Sequence, residues 1–314
     1  MPGIPPSRYA YLGPEGTFTE TALRALPAAA RADLLPFSSV PLALDAVRAG
    51  DVDGAMVPIE NSIEGGVTAT VDALATGEPL VVVRESLVPI SFVLAGRAGT
   101  TLDDVKRIST HPHAQAQCRG WLDGHLPDAA YVPALSTAAA AAGLSVSGDV
   151  GYDAALCAPI AANRYRLRVL ADDVADNPFA VTRFVLVARP GVPPAPTGAD
   201  KTSIVAFQPD DHPGGLLELL EQFAVRGVNL VRIESRPTGD AMGRYCFAID
   251  AEGHVAEARM AEALVGLHRF CSQVRFLGSY PSAEAPPTTV RPGTSDAAFA
   301  DGRAWVDRLR EGRI

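Results

Sequence analysis

The sequence predicts two folded parts of different class, an α/β domain followed by an α+β ferredoxin-like domain. Three observations carry this. Strand-like and helix-like runs alternate from residue 9 to residue 189. The stretch RPGVPPAPTGADK (189–201) then concentrates Pro and Gly between two apolar runs, as an exposed linker does. Beyond it the elements follow in the order β-α-β-β-α-β, which is the ferredoxin-like motif.

In the first part YAYLG, GAMVPIEN, LVVVRESLV and RIST read as strands, and TETALRAL, VTATVDALA and AQAQCRGWL as helices. That rhythm predicts mainly parallel strands. The Ala-rich run STAAAAAGL reads as an ordinary helix start, because Ala is the best helix former and Ser136 or Thr137 supplies an N-cap. In the second part the pattern predicts strands at 202–208, 229–236, 243–250 and 273–280, with helices at 214–226 and 255–269. After Pro281 the polar, Pro-rich SAEAPPTTVRPGTSD predicts a mobile tether, and Trp305 and Leu309 stand at the spacing of a weak terminal helix. The expected organisation is a domain over 7–189, a linker over 190–200, a second domain over 201–281 and a tail over 282–314.

Of the 314 residues 47% are hydrophobic and 20% charged, enough apolar content for two independent cores. A net charge of -9, with 27 Lys and Arg that form no runs, excludes a nucleic-acid surface and leaves room only for a small, locally held anion. Cys118, Cys157, Cys246 and Cys271 are scattered without a CxxC pair and read as reduced core residues. The opening MPGIPPSRYAYLG lacks a signal-peptide pattern, and no window approaches the length of a membrane span, so a cytoplasmic protein with no membrane partner is expected.

Four strand-to-helix junctions carry small polar residues: GPEGTFTE (13–20), PIENSIEGG (58–66), STHPHAQAQC (109–118) and ALSTAAA (134–140). In an open α/β sheet ligands bind at the carboxyl ends of strands, where helix N-termini offer unpaired N–H groups. Capping alone also explains each junction: Thr17 with Glu20 fits a capping box, and Ser62 or Thr137 can start a helix. Asn61 and Gln117 can donate and accept without titrating, which suits either a bound hydroxyl or carboxylate or a plain turn and helix surface. His111 and His113 form an H-x-H pair with no third ligand at a recognisable spacing, so no metal is expected. G-x-S-x-G, P-loop and G-x-G-x-x-G patterns are absent as well.

The run DNPFAVTRFVLVAR (176–189) places Thr182 and Arg183 inside a buried strand. A guanidinium there requires a carboxylate partner or a ligand anion. Adjacent strand residues face opposite sides, so both can serve one cleft only if the strand bends at its entry, where Pro178 lies.

Together these segments resemble the prephenate dehydratase family, whose mark is a Thr-Arg-Phe triplet, here Thr182, Arg183 and Phe184. The likeness runs in order through GPEGTF, VPIENSIEGGV, HPHAQAQC, STAAAA, TRF and GVNLVRIESRP, from about residue 8 to 281. It implies a bilobal catalytic domain like a type II periplasmic binding protein, followed by an ACT regulatory domain. The implied lyase reaction turns prephenate into phenylpyruvate in phenylalanine biosynthesis, with no metal or organic cofactor. Thr182 would meet the leaving hydroxyl and Arg183 a carboxylate, with Asn61, Gln117, Thr110, Ser136, Thr137 and Thr17 lining the cleft. Ala180 and His113 stand where many relatives carry Asn and Gln.

For the ACT domain the resemblance implies a phenylalanine site built from Gly214, Gly215, Leu216 and Leu217 together with Asn229, Leu230, Glu234, Ser235, Arg236 and Pro237. Gly215 replaces the usual alanine, which bears on how firmly that helix starts. ACT domains pair, so a homodimer or homotetramer is implied. Two other readings stay open on sequence: a non-catalytic small-molecule sensor, and the same chemistry on arogenate.

Overall fold

The computed structural model describes residues 7–238, 245–283 and 288–313. They form two compact units. The first runs to Thr70 and resumes over Ser86–Leu186; the second takes Val71–Glu85 and the chain from Val187 on.

In the first unit, β1 (Arg8–Leu12), α1 (Phe18–Arg24), β2 (Asp33–Phe37), α2 (Val40–Ala49) and β3 (Gly54–Asn61) open one sheet. β1 pairs in parallel with β2 and β3, and β4 (Gly65–Gly66) folds back antiparallel on β3. After α3 (Thr68–Ala75) and β5 (Val81–Pro89) the chain leaves for a second sheet. That lobe holds β6 (Val93–Gly96), β7 (Arg107–Thr110), α4 (Pro112–Gln117), α5 (Arg119–His125) and β8 (Ala130–Pro133). It continues through α6 (Thr137–Leu144), β9 (Ala154–Cys157), α7 (Pro159–Arg164) and β10 (Arg168–Ala171). β11 (Val181–Ala188) returns to the first sheet, giving the orders β2-β1-β3-β11-β5 and β10-β6-β9-β7-β8. Two sheets with one outward and one return crossing make a two-lobed domain.

Antiparallel pairs stand beside the parallel ones. β7 is parallel to β8 and β9, each reached through helical crossovers, whereas β6 is antiparallel to β9 and β10. β6 is where the chain enters the lobe, with no helix between it and β5. The second sheet is buried on both faces: Phe92, Leu94, Ala154 and Leu156 pack in one cluster, and Val93, Ala95, Ala155 and Cys157 in another. All four cysteines are free and buried. Burial pushes the thiols of Cys118 and Cys157 up to about 12.

Local chemistry modifies three expected helix starts. The helix expected at 114–122 breaks at Cys118, because the Asp176 carboxylate accepts from the N–H groups of Gly120 and Trp121 (2.8 and 2.9 Å) and so starts α5 afresh. Thr17 caps α1, but the fully buried Glu20 carboxylate closes on Gly16 N (2.6 Å), not on Thr17 N, and binds Arg24 and Arg164. Ser136 rather than Thr137 caps α6, and Ser62 caps nothing, pairing instead with the backbone of Val181.

The second unit has the expected order: β12 (Asp200–Phe207), α8 (Gly215–Ala224), β13 (Leu230–Pro237), β14 (Tyr245–Glu252), α9 (Ala258–Phe270) and β15 (Gln273–Pro281). Its antiparallel sheet reads β13-β14-β12-β15, with Ile204, Phe247 and Ile249 packed under Leu219, Phe223, Met260 and Leu267. Residues 243 and 244 of the expected third strand lie outside the described residues, as do 284–287 of the expected tether. The tail is more structured than its composition suggests. Ser295 caps α10 (Asp296–Arg310), Asp296 accepts from Ala258 N at the start of α9 (2.7 Å), and Arg303 pairs with Glu262 (3.2 Å).

Segment 71–85, expected inside the first domain, packs in the second unit instead. The Arg236 guanidinium forks onto the Asp72 carboxylate (2.9 and 3.0 Å), and Arg275 donates to the carbonyls of Leu74, Thr76 and Gly77. Lys201 meets the buried Glu85 at 2.9 Å. Gly278, at φ +123°, lets β15 approach so closely that a Cβ would collide with the Val82 carbonyl. Gly278→Ala therefore combines backbone strain with overpacking and is expected to destabilise the protein by about 2–4 kcal/mol, read from chemical denaturation.

Candidate active site

A cavity of about 370 Å³ opens between the two sheets of the first unit. All four junctions singled out in the sequence reach it: Thr17, Asn61, Gln117, Ser136 and Thr137 line it, together with Thr182 and Phe184.

β11 decides which part of the triplet faces the cavity. Thr182 and Phe184, two residues apart, point into it, buried to 7% and 3% exposure. Arg183 points to the other side and meets Glu60 at 3.5 Å, so the expectation that its guanidinium faces the cleft is corrected. No bend at the strand's entry brings the two residues to one face. Thr110 is a second correction: it is fully buried, its hydroxyl donates to the Leu156 carbonyl (2.7 Å), and it ties β7 to β9 rather than lining the cavity.

Asn61 is held in one orientation. Its Oδ1 accepts from the N–H groups of Ile63 and Glu64 (2.8 and 3.1 Å), closing a local turn. This leaves Nδ2 to donate to Thr182 Oγ1 at 2.8 Å. The pairing of Ser62 with Val181 holds the β3–β4 hairpin beside β11. With its oxygen accepting from Asn61, the Thr182 hydroxyl keeps its own proton for another acceptor.

Opposite, Glu64 accepts from Gln117 Nε2 (3.1 Å) and lies 2.9 Å from His113 Nδ1. Ser136 Oγ accepts from Ala139 N, and Thr17 Oγ1 donates to the Leu12 carbonyl, so both hydroxyls edge a helix N-terminus. Phe18 and Phe92, edge to face at 5.6 Å, form an apolar wall with Ile90. Leu135, 95% exposed, stands at the rim. Sequence reasoning did not single out Glu64, Ser38 or these apolar residues. Glu64 lies within the quoted ENSIEGG, and Ser38 sits just before the Ser39 cap of α2, a fifth junction of the same kind. Among the described residues no Lys or Arg lines the cavity, so local positive potential comes from helix N-termini.

A second cavity, of about 230 Å³, lies in the ferredoxin-like domain. Gly214, Gly215, Leu216, Leu217 and Ser235 line it, joined by Gln208, His212, Tyr245 and Phe247. Asn229, Leu230, Glu234, Arg236 and Pro237 are not among its lining residues. Glu234 pairs with Arg232 and Arg236 with Asp72 on the opposite face of β13, while Asn229 and Leu230 stand at the far end of that strand. Gly215 is the first residue of α8, beside the left-handed Gly214 cap, so the interior-helix penalty does not apply. A Cβ there would lie 2.9 Å from Gln208 Nε2, which is buried without a hydrogen-bond partner among the described residues.

A family model for prephenate dehydratase matches residues 9–191. A prephenate dehydratase of Amycolatopsis methanolica is 48% identical over 307 residues, covering 98% of this chain and 99% of that protein. Among solved structures, prephenate dehydratase from Arthrobacter aurescens in complex with L-Phe shares 59% identity at a TM-score of 0.93, covering 97% of this chain and 99% of the other. GqqA, described as a novel type of quorum quenching acylase, shares 31% identity at a TM-score of 0.78, over 88% and 98% of the two chains.

One titration follows from the cavity's geometry. Burial, reinforced by His113 and opposed by Glu64, holds the His111 imidazole below the ordinary histidine range. In its neutral form His111 Nδ1 accepts from His113 N (3.3 Å) and caps α4. As pH falls through about 6.5, the unfolded chain binds a proton that the folded one resists, so stability declines with acidification. His111→Asn, which retains a capping acceptor, is expected to flatten that part of the slope in denaturation curves taken across this range.

Proposed function

The chain belongs to the prephenate dehydratase family, and we propose that the cavity around Thr182 is its active site. In the reaction the bond to the ring carboxylate breaks, carbon dioxide leaves, and the released electron pair aromatises the ring. The ring hydroxyl takes up a proton and departs as water. Aromatisation supplies the driving force, so the protein has only to orient a dianion, align that proton and exclude water.

The observation that carries this assignment is the hydrogen bond from Asn61 to Thr182 Oγ1. It aims the threonine proton into the cavity, toward the departing oxygen. A threonine hydroxyl is a weak acid, so alignment counts for more here than acidity. The quorum quenching acylase activity for which one neighbour is named would instead ask a base to remove that proton, and an amide N–H donor at the oxygen does not do so.

The substrate's carboxylates are assigned to main-chain N–H groups at the starts of α1 and α6, with the hydroxyls of Thr17, Ser136 and Thr137 and the Gln117 amide beside them. Phe18, Phe92 and Phe184 enclose the ring. Arg183 supports β11 through Glu60 and acts on the site by holding Thr182 in place.

The ferredoxin-like unit is assigned as an ACT domain whose cavity takes phenylalanine. A relative was solved with L-Phe bound, and the cavity here joins an apolar wall of Leu217, Tyr245 and Phe247 to the N-terminus of α8 and to Gln208 Nε2, which has no partner among the described residues. Leu216, Leu217, Val231 and Ile233, all more than 40% exposed, suit pairing of such domains in a homodimer or homotetramer.

Incubating the protein with prephenate and following phenylpyruvate absorbance tests the assignment, with arogenate as a parallel substrate. Thr182→Ala is expected to lower turnover by roughly 10²- to 10⁴-fold without unfolding the protein, and Thr182→Ser to retain more activity. A folded Thr182→Ala variant with near-normal turnover would remove Thr182 from the chemistry.

A further inference from the structure

Segment Val71–Glu85 belongs to the second unit although the chain on either side of it builds the first. The hairpin with Asn61 and Glu64 comes just before it, and α3 runs into it without a break. β5 leads out of it toward Ile90 and Phe92 of the cavity wall.

Three strands of the ferredoxin-like sheet grip this segment. From β13, Arg236 forks onto Asp72. From β15, Arg275 donates to three carbonyls where α3 ends, satisfying groups that every helix C-terminus leaves open. From β12, Lys201 meets Glu85, which also accepts from Ser282 Oγ and Ala283 N. Side-chain exposures of 49% for Asp72 and 20% for Arg236 make that pair a weak source of stability. Its two-bond geometry instead fixes the register of α3 against β13.

Arg236 is the immediate neighbour of Ser235, which lines the second cavity. Because adjacent strand residues face opposite sides, β13 presents one face to that cavity and the other to α3.

We propose that Arg236 and Asp72 are positioning residues that carry occupancy of the second cavity to the active site. A shift of β13 at Ser235 moves the Arg236 guanidinium, α3 follows through Asp72, and the hairpin preceding α3 resets the hydrogen bond from Asn61 to Thr182. This rests on reading the two cavities as the prephenate and phenylalanine sites.

The test compares the full-length parent with Asp72→Asn and Asp72→Glu, measuring phenylpyruvate production with and without phenylalanine, and phenylalanine binding by calorimetry. Asp72→Asn is expected to keep its turnover and its phenylalanine affinity. The change that phenylalanine makes in apparent KM or kcat should shrink by at least about fivefold, the lower end of ordinary allosteric couplings. Asp72→Glu should retain that change. A simple loss of packing would lower turnover with and without phenylalanine alike.

If phenylalanine inhibits the parent and Asp72→Asn to the same degree, the coupling route is overturned and both site assignments stand. Loss of phenylalanine binding in Asp72→Asn overturns it too, placing the pair in the effector site itself. A parent whose turnover phenylalanine leaves unchanged overturns the effector reading together with the route. A parent that makes no phenylpyruvate overturns the active-site reading.

Discussion

Neighbouring residues on a β-strand cannot share a face, and this constraint governs the protein at two decisive places. On β11 it sends Thr182 and Phe184 into the cavity and Arg183 to Glu60. On β13 it turns Ser235 toward the second cavity and Arg236 toward Asp72. In both strands a short motif is split between a cavity-facing residue and an arginine that holds the strand to a neighbouring element. Arg236 gains its effect through geometry more than charge, since its guanidinium forks onto both Asp72 oxygens and fixes orientation as a point charge does not.

The first cavity concentrates its precision in few bonds. A backbone turn fixes Asn61, Asn61 fixes Thr182, and the pairing of Ser62 with Val181 keeps the hairpin beside β11. Most of the remaining lining is apolar or made of helix starts, whose N–H groups are held in place by the fold and need no reorganisation to meet an anion. A reaction driven by aromatisation asks for little more than such preorganisation. Membership of the prephenate dehydratase family decides for an enzyme over a passive sensor.

Segment 71–85 carries the constraint across the chain. It is continuous with the β3–β4 hairpin, yet Asp72 and Glu85 pair with Arg236 and Lys201 of the ferredoxin-like sheet, Arg275 donates to carbonyls at the end of α3, and the Val82 carbonyl lies close against Gly278. α3 crosses the boundary between the two units, its residues up to Thr70 belonging to the first and those from Val71 on to the second.

The sequence by itself determined the class of both domains, the βαββαβ order and the set of strand-to-helix junctions, because hydrophobic periodicity, Pro and Gly punctuation and capping residues are local signals. It was also enough to single out Asn61, Gln117, Ser136, Thr137, Thr17 and Thr182, residues that one cavity brings together. Only the tertiary structure decided which of those polar groups turn outward or inward. Arg183 found Glu60, Thr110 found the Leu156 carbonyl, Arg236 found Asp72, and residues 71–85 packed with the second unit. Those partners lie 46 to 164 residues away along the chain, and no local pattern records which distant carboxylate or carbonyl will satisfy a buried donor.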